Sequence, residues 1–152
     1  MAELGSILLA EDDPDDVDLI LMGLKEHNLV NEVAVTHDGE EALEYLYRRG
    51  RYENRAGANP ILVLLDLKMP KVDGLEVLKQ IKSDSHLKTI PVVMLTSSLM
   101  EADQLSSYNS GANAYIVKPV NFTEFVDAVK KLGAFWAILN EPPPDALQSS
   151  KH

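Results

Sequence analysis

Cysteine is absent from all 152 residues, so a disulfide framework and thiolate metal sites are both excluded. Long apolar runs are missing too. No stretch approaches the roughly 18 residues that a membrane-spanning helix requires. The start, Met1-Ala2-Glu3-Leu4-Gly5, carries neither the basic segment nor the apolar core of a secretion signal. The expected location is therefore the cytoplasm, away from any membrane. Basic residues are scarce: 14 Lys and Arg stand against 24 Asp and Glu, a net charge of −10. A chain of this charge has no general attraction for nucleic acid phosphates.

What is present fits one soluble domain with a full core, since 45% of the residues are hydrophobic and 25% charged. The acids are unevenly placed. Seven of the first 18 residues are Asp or Glu, and the first basic residue is Lys25. A solvated acidic surface explains most such clusters. The sharper reading is a cation site.

Along the chain, Ile7-Leu8-Leu9-Ala10 is an apolar run without alternation, as expected of a strand buried on both faces. Glu11-Asp12-Asp13 follows its end. Asp13 then suits a helix N-cap, with Pro14 at the first helical position and Asp15, Asp16 and Asp18 favoured by the helix dipole. Val17, Ile20, Leu21 and Leu24 keep helical spacing, predicting a helix to about Asn28. A second strand is expected over Glu32 to Thr36, and a second helix opens at Asp38-Gly39. Arg49 to Asn59 reads as a long polar loop flanked or occupied by four arginines, either solvated or facing a partner. Ile61 to Asp66 is a third strand and Gly74 to Ser83 a third helix, packed through Leu75, Leu78 and Ile81. Pro91 to Leu95 is a fourth strand, followed by a weak helix over Leu99 to Asn109 that Gly111 would cap. Ala114 to Val117 is a fifth strand. Asn121 caps a last helix with a stripe from Phe122 to Trp136. Residues 1–139 form the expected domain, and 140–152, with three consecutive prolines, an expected disordered tail.

Five strands alternating with five helices imply an α/β fold with a parallel sheet covered on both faces. Function then lies at the carboxyl ends of the strands. Those ends supply Glu11, Asp12, Asp66, Thr96 and Lys118. One strand-end acid is commonly a cap; five polar groups at one rim are harder to explain that way. Clustered carboxylates repel and raise one another's pKa, and a hard divalent cation relieves this. Mg2+ prefers oxygen ligands. Asp12 and Asp66 can serve directly, Glu11 through water, and the Lys68 carbonyl as a further ligand. A carboxylate beside a cation and an ammonium can act as a nucleophile toward phosphorus. Lys118 would neutralise phosphoryl oxygens, and the Thr96 hydroxyl would hydrogen-bond one.

Four segments carry a family resemblance: Ile7 to Asp13, Leu65 to Gly74, Leu95-Thr96-Ser97 and Tyr115 to Pro119. In order and spacing they resemble the CheY-like receiver domain of bacterial response regulators, over roughly residues 5 to 139. The resemblance implies a flavodoxin-like sheet of strand order 2-1-3-4-5. It implies phosphorylation of Asp66 by a sensor histidine kinase, with Mg2+ on Asp12, Asp66 and the Lys68 carbonyl, supported by Glu11. Thr96 would be the switch hydroxyl, Tyr115 the aromatic that follows it, and the Lys118–Pro119 bond cis. Lys68 and Ser98 occupy positions that tune dephosphorylation in this family.

The signal is then expected to leave through the fourth helix, fifth strand and fifth helix. Ala128, Phe135, Ile138 and Leu139 extend the apolar surface of the last helix beyond its core stripe. This suggests a homodimer through that face, although a helix end covered by its own tail would look the same. The Phe135-Trp136 pair, the long loop and the proline-rich end resemble regulators paired with phytochrome-type kinases. Three alternatives are a phosphorelay intermediate, a haloacid-dehalogenase-like phosphatase and a scaffold that accepts no phosphate. Against the phosphatase, the second residue after Asp66 is Lys68 rather than an acid. The domain is expected to signal rather than to turn over substrate.

Overall fold

The structure is a computed structural model that describes residues 6–26, 32–101 and 111–131. Its elements are β1 (Ser6–Ala10), α1 (Pro14–Glu26), β2 (Glu32–Thr36), α2 (Gly39–Tyr47), a 3-10 turn (Gly50–Tyr52), β3 (Leu62–Asp66), α3 (Gly74–Ser83), β4 (Val92–Thr96), β5 (Ala114–Val117) and α5 (Phe122–Lys131). Between β4 and β5 a helix, α4, begins at Leu99, and residues 99–101 are its described part. The capping of α4 by Gly111 and the end of α1 near Asn28 lie outside the described residues. So do Phe135, Trp136, Ile138, Leu139 and the tail.

The five strands form one parallel sheet in the order β2-β1-β3-β4-β5. Side chains along a strand alternate between the two faces of its sheet. The apolar runs therefore feed two cores. Ile7, Leu9, Leu62, Leu64, Val93 and Leu95 meet Val17, Ile20 and Leu24 of α1 and Phe125 of α5. Leu8, Ala10, Val63, Leu65, Val92 and Met94 meet α2 and α3 on the other face. This is why β1, β3 and β4 lack polar alternation.

Local sequence explains the helix starts. Asp38 accepts from the Glu41 N–H, and Asp73 from the Glu76 N–H. Asn121 accepts from Thr123 and Glu124 at the head of α5. Asp13 accepts from Asp15 at 2.9 Å, as its N-cap role requires. The α3 stripe differs slightly from expectation. Val77 is fully buried with Leu78 and Ile81, while Leu75 stands half-exposed at its edge. The third strand starts at Leu62 and the fourth runs to Thr96, each one residue later than its sequence suggests.

The 49–59 loop is neither a free nor a merely solvated coil. Arg48 takes a left-handed backbone (φ 56°), and its guanidinium holds the carbonyls of Arg55 and Gly57. Arg55 donates to the Tyr45 carbonyl at 2.9 Å and stacks 4.1 Å over the Tyr45 ring. Arg51 pairs with Glu44 at 2.7 Å, and Arg49 lies 4.8 Å over Tyr47. All four arginines thus make contacts within the loop or to α2.

Candidate functional site: an acidic cleft at the carboxyl rim

Strand register assembles the site. Ala10 pairs with Leu65, Asp66 with Leu95, and Thr96 with Val117. Glu11, Asp66, Thr96 and Lys118 therefore arrive at one rim although they span more than a hundred positions. Backbone bonds continue past the strands and fix that rim: Leu67 N–H to the Leu95 carbonyl at 2.9 Å, and Lys118 N–H to the Thr96 carbonyl at 2.7 Å. The chain turns away after Asp66 and returns at Gly74, whose N–H bonds the Leu67 carbonyl at 2.8 Å. A side chain at Gly74 would collide with the Asp66 carbonyl, so this return demands glycine.

The cleft is lined by Glu11, Asp12, Asp13, Asp16, Asp66, Leu67, Lys68, Thr96, Ser97 and Lys118, and it holds about 210 Å³. Carboxylate oxygens of Glu11, Asp12 and Asp66 lie within 4.8 Å of one another. Glu11 and Asp66 are buried, whereas Asp12 is exposed at the mouth. Three hard oxygen donors of one charge, open on one side, can hold a divalent cation. Lys118 is the counterweight. Its Nζ lies 2.9 Å from Glu11, 3.0 Å from Asp16 and 3.3 Å from Asp66. The Lys118–Pro119 peptide bond is cis.

The electrostatics follow from this packing. Burial, reinforced by the hydrogen bond and charge of Glu11, pushes the Asp66 carboxyl up to about 7, against the opposing pull of Lys118. Burial works against the Lys118 ammonium. Its bonds to Glu11 and Asp16 and the charges of Asp66 and Glu11 more than offset this, and its pKa rises. Lys118 thus stays charged, while burial and Glu11 hold the Asp66 carboxyl above its ordinary range.

Thr96 lies on the other face of the sheet from Asp66, in line with Val92 and Met94. Its hydroxyl donates to Glu101 in the first turn of α4 at 3.2 Å and accepts from the Ser98 N–H at 3.2 Å. Lys68 also reaches Glu101, at 2.8 Å. Tyr115 is half-buried and packs against the core on the same face as Thr96. Ala128 is half-buried on α5.

Two participants escape sequence reasoning. Asp16 reads locally as a helix-dipole acid, yet its carboxylate grips Lys118 from 102 residues away. Glu101 sits in a weak helical segment with no motif around it. A carboxylate five residues after the strand-end threonine is the one signal that could have found it.

In an open parallel sheet, ligands collect where the strand order reverses. Here that point lies between β1 and β3, which deliver Glu11 and Asp66. The class is thus a doubly wound α/β protein with a cation-suited cleft at its topological switch. The particular family follows from comparison: a sequence model described as the response regulator receiver domain matches residues 7–130. The chain belongs to this family of two-component signalling proteins.

Among curated relatives, response regulator Rcp1 of Synechocystis is 41% identical over 130 residues, covering 86% of this chain and 87% of its own length. The Mn2+-bound crystal structure of Rcp1 superposes with a TM-score of 0.70 at 39% identity, covering 91% of this chain and 99% of that one. The bacteriophytochrome response regulator AtBRR gives a TM-score of 0.85 at 56% identity, covering 92% and 100%. The phosphorylated cyanobacterial phytochrome response regulator RcpA gives 0.70 at 43%, covering 88% and 94%. Among the described residues no helix is long and apolar enough to cross a membrane.

Proposed function

We propose that Asp66 is the phosphoryl acceptor of this receiver and that its donor is a sensor histidine kinase of phytochrome type. One observation carries the reading. The buried Asp66 carboxylate shares an oxygen cluster with Glu11 and Asp12 and stands 3.3 Å from the Lys118 ammonium. That is the environment a carboxylate nucleophile toward phosphorus requires. The names of AtBRR and RcpA support a phytochrome-type kinase, and the phosphorylated state of RcpA supports the chemistry.

Asp12, Asp66 and the Lys68 carbonyl would hold Mg2+, with Glu11 in support. Bound there, the ion would offset the charge of the carboxylates and of the incoming phosphoryl oxygens. An Asp66 carboxylate oxygen attacks phosphorus. The phosphorus–nitrogen bond to the kinase histidine breaks, and its electron pair remains on the imidazole, which takes a proton from solvent. Lys118 steadies the transferring oxygens as a fixed ammonium. The phosphoryl group then attracts the Thr96 hydroxyl, and Tyr115, on the same face of the sheet, follows into the space vacated. The output surface is α4, β5 and α5. Through it two copies pair, using Ala128, Phe135, Ile138 and Leu139. We assign the receiver to residues 1–139 and place its action in the cytoplasm through protein contacts, without nucleic acid.

The test is incubation with Mg2+ and acetyl phosphate. The reading predicts one hydroxylamine-labile phosphoryl group per chain. Sustained turnover of many phosphate esters would instead indicate a phosphatase, and an unmodified chain would indicate a scaffold.

A further inference from the structure

We infer that Glu101 is a built-in competitor anion. It occupies, in the unphosphorylated protein, two of the donors that a phosphoryl group on Asp66 would recruit. The inference rests on the phosphoryl-acceptor reading above and names a regulator of that site.

The geometry is specific. The two oxygens of one carboxylate are divided between two donors from different elements. Glu101 Oε2 accepts from the Thr96 hydroxyl at 3.2 Å, and Oε1 meets the Lys68 ammonium at 2.8 Å. Thr96 ends β4 and Lys68 follows β3, so the carboxylate ties two rims of the cleft to the first turn of α4. Ser98 orients it from behind, its hydroxyl accepting from the Glu101 N–H at 3.3 Å. The hydrogen bond from Lys68 holds the Glu101 carboxyl below its usual range. Glu101 is therefore anionic whenever the protein is near neutral pH.

Thr96 and Lys68 both line the cleft that contains Asp66. A phosphoryl group there offers three strong acceptor oxygens and about two negative charges. Both donors then choose between two anions. Thr96 is almost fully buried and can serve only one acceptor with its single proton. Lys68 is largely exposed, so its share of the competition is the smaller one. Phosphorylation thus exchanges one anion for another. Glu101 loses its partners, and the first turn of α4 loses its tie to the sheet. Leu99 and Met100, in that same turn, are 65% and 71% exposed. Release of Glu101 would reorient this apolar pair, giving the output face a reason to differ between the two states.

The experiment is a beryllofluoride titration in excess Mg2+, followed by amide NMR. Wild type is compared with Glu101→Gln, Glu101→Ala and the charge-matched control Asp15→Asn on the exposed head of α1. Beryllofluoride mimics a phosphoryl group on a carboxylate. Removing the competitor tightens its apparent affinity by about three- to tenfold, the worth of one ordinary hydrogen bond lost from the competing state. Glu101→Ala exceeds Glu101→Gln, because the amide still offers Thr96 an acceptor. Asp15→Asn leaves the affinity near wild type. In a Lys68→Met background the gain from Glu101→Gln shrinks, since one of the two captured donors is already gone. Equal affinities for wild type and both Glu101 variants, or weaker binding in the variants, would overturn the inference. Thermal unfolding of each variant separates weakened binding from a damaged fold. If wild type binds no beryllofluoride at Asp66, the acceptor reading fails first and the competitor falls with it.

Discussion

Lys118 carries more of the cleft than any other single side chain. It is the shared partner of Glu11, Asp16 and Asp66, and two of those acids are buried. Removing one member of a buried charge cluster strands the others, at a cost of about 3–5 kcal/mol. Lys118→Met is therefore expected to lower the melting temperature markedly in EDTA. Millimolar Mg2+ should return part of the loss, because a cation can replace the ammonium among the carboxylates. An equal loss with and without Mg2+ would mean that the acids do not form a cation site. Asp12→Asn tests the same cluster from its exposed end. It should weaken Mg2+ binding at least about tenfold in a calorimetric titration, with little change in stability. Glu11, Asp12, Asp66, Thr96 and Lys118 are legible because they stand where apolar strand runs end. Asp16 and Glu101 are not, because their partners come from distant strands and their own neighbourhoods look ordinary.

Among the elements, the sheet was the most legible. Runs such as Leu62 to Leu65 and Val92 to Leu95 are too apolar for a half-exposed strand, and both faces of the sheet are in fact covered. The loop after α2 was the least legible. Its sequence leaves it solvated or facing a partner, whereas carbonyl bonds and cation–π stacking hold Arg48 and Arg55 against the chain. Such contacts leave no periodic trace in a sequence. The same region makes a pH prediction. Burial and the hydrogen bond to Glu41 raise the Tyr52 phenol from 10.0 to about 12. Burial alone would raise the Glu41 carboxyl, but hydrogen bonds from Tyr52 and His37 carry it below 4.5. A raised phenol stabilises fully below about pH 10 and loses that contribution as pH climbs toward 12. A lowered carboxyl stabilises above its unfolded value and loses that contribution as pH falls through its folded one. Tyr52→Phe should therefore cost about 1 kcal/mol across the neutral range. The gap from wild type should close toward pH 12. Melting curves across pH check this, and a gap that stays constant to pH 12 would contradict it.

For the whole molecule, two cores around one sheet leave function to the rim, and the net charge of −10 leaves no general attraction for nucleic acid. In the proposed reading the state of the rim therefore passes to another protein surface. The proposed output face contains β5 and α5, with Phe125 anchoring α5 in the core and Ala128 standing half-buried beside it. Pairing through this face predicts a dimer in sedimentation velocity, dissociated by Ala128→Glu. A monomer at high concentration, with and without phosphodonor, would contradict the pairing.

The proposed phosphotransfer turns on Asp66. Its most direct test is to treat the protein with Mg2+ and acetyl phosphate, reduce the product with borohydride, and locate the modification by tandem mass spectrometry. Borohydride converts an aspartyl phosphate to homoserine, marking the acceptor in the chain itself. The prediction is homoserine at position 66, absent when Mg2+ is withheld and absent in Asp66→Asn. Homoserine at another aspartate, or an unmodified residue 66 in a folded protein, would contradict it.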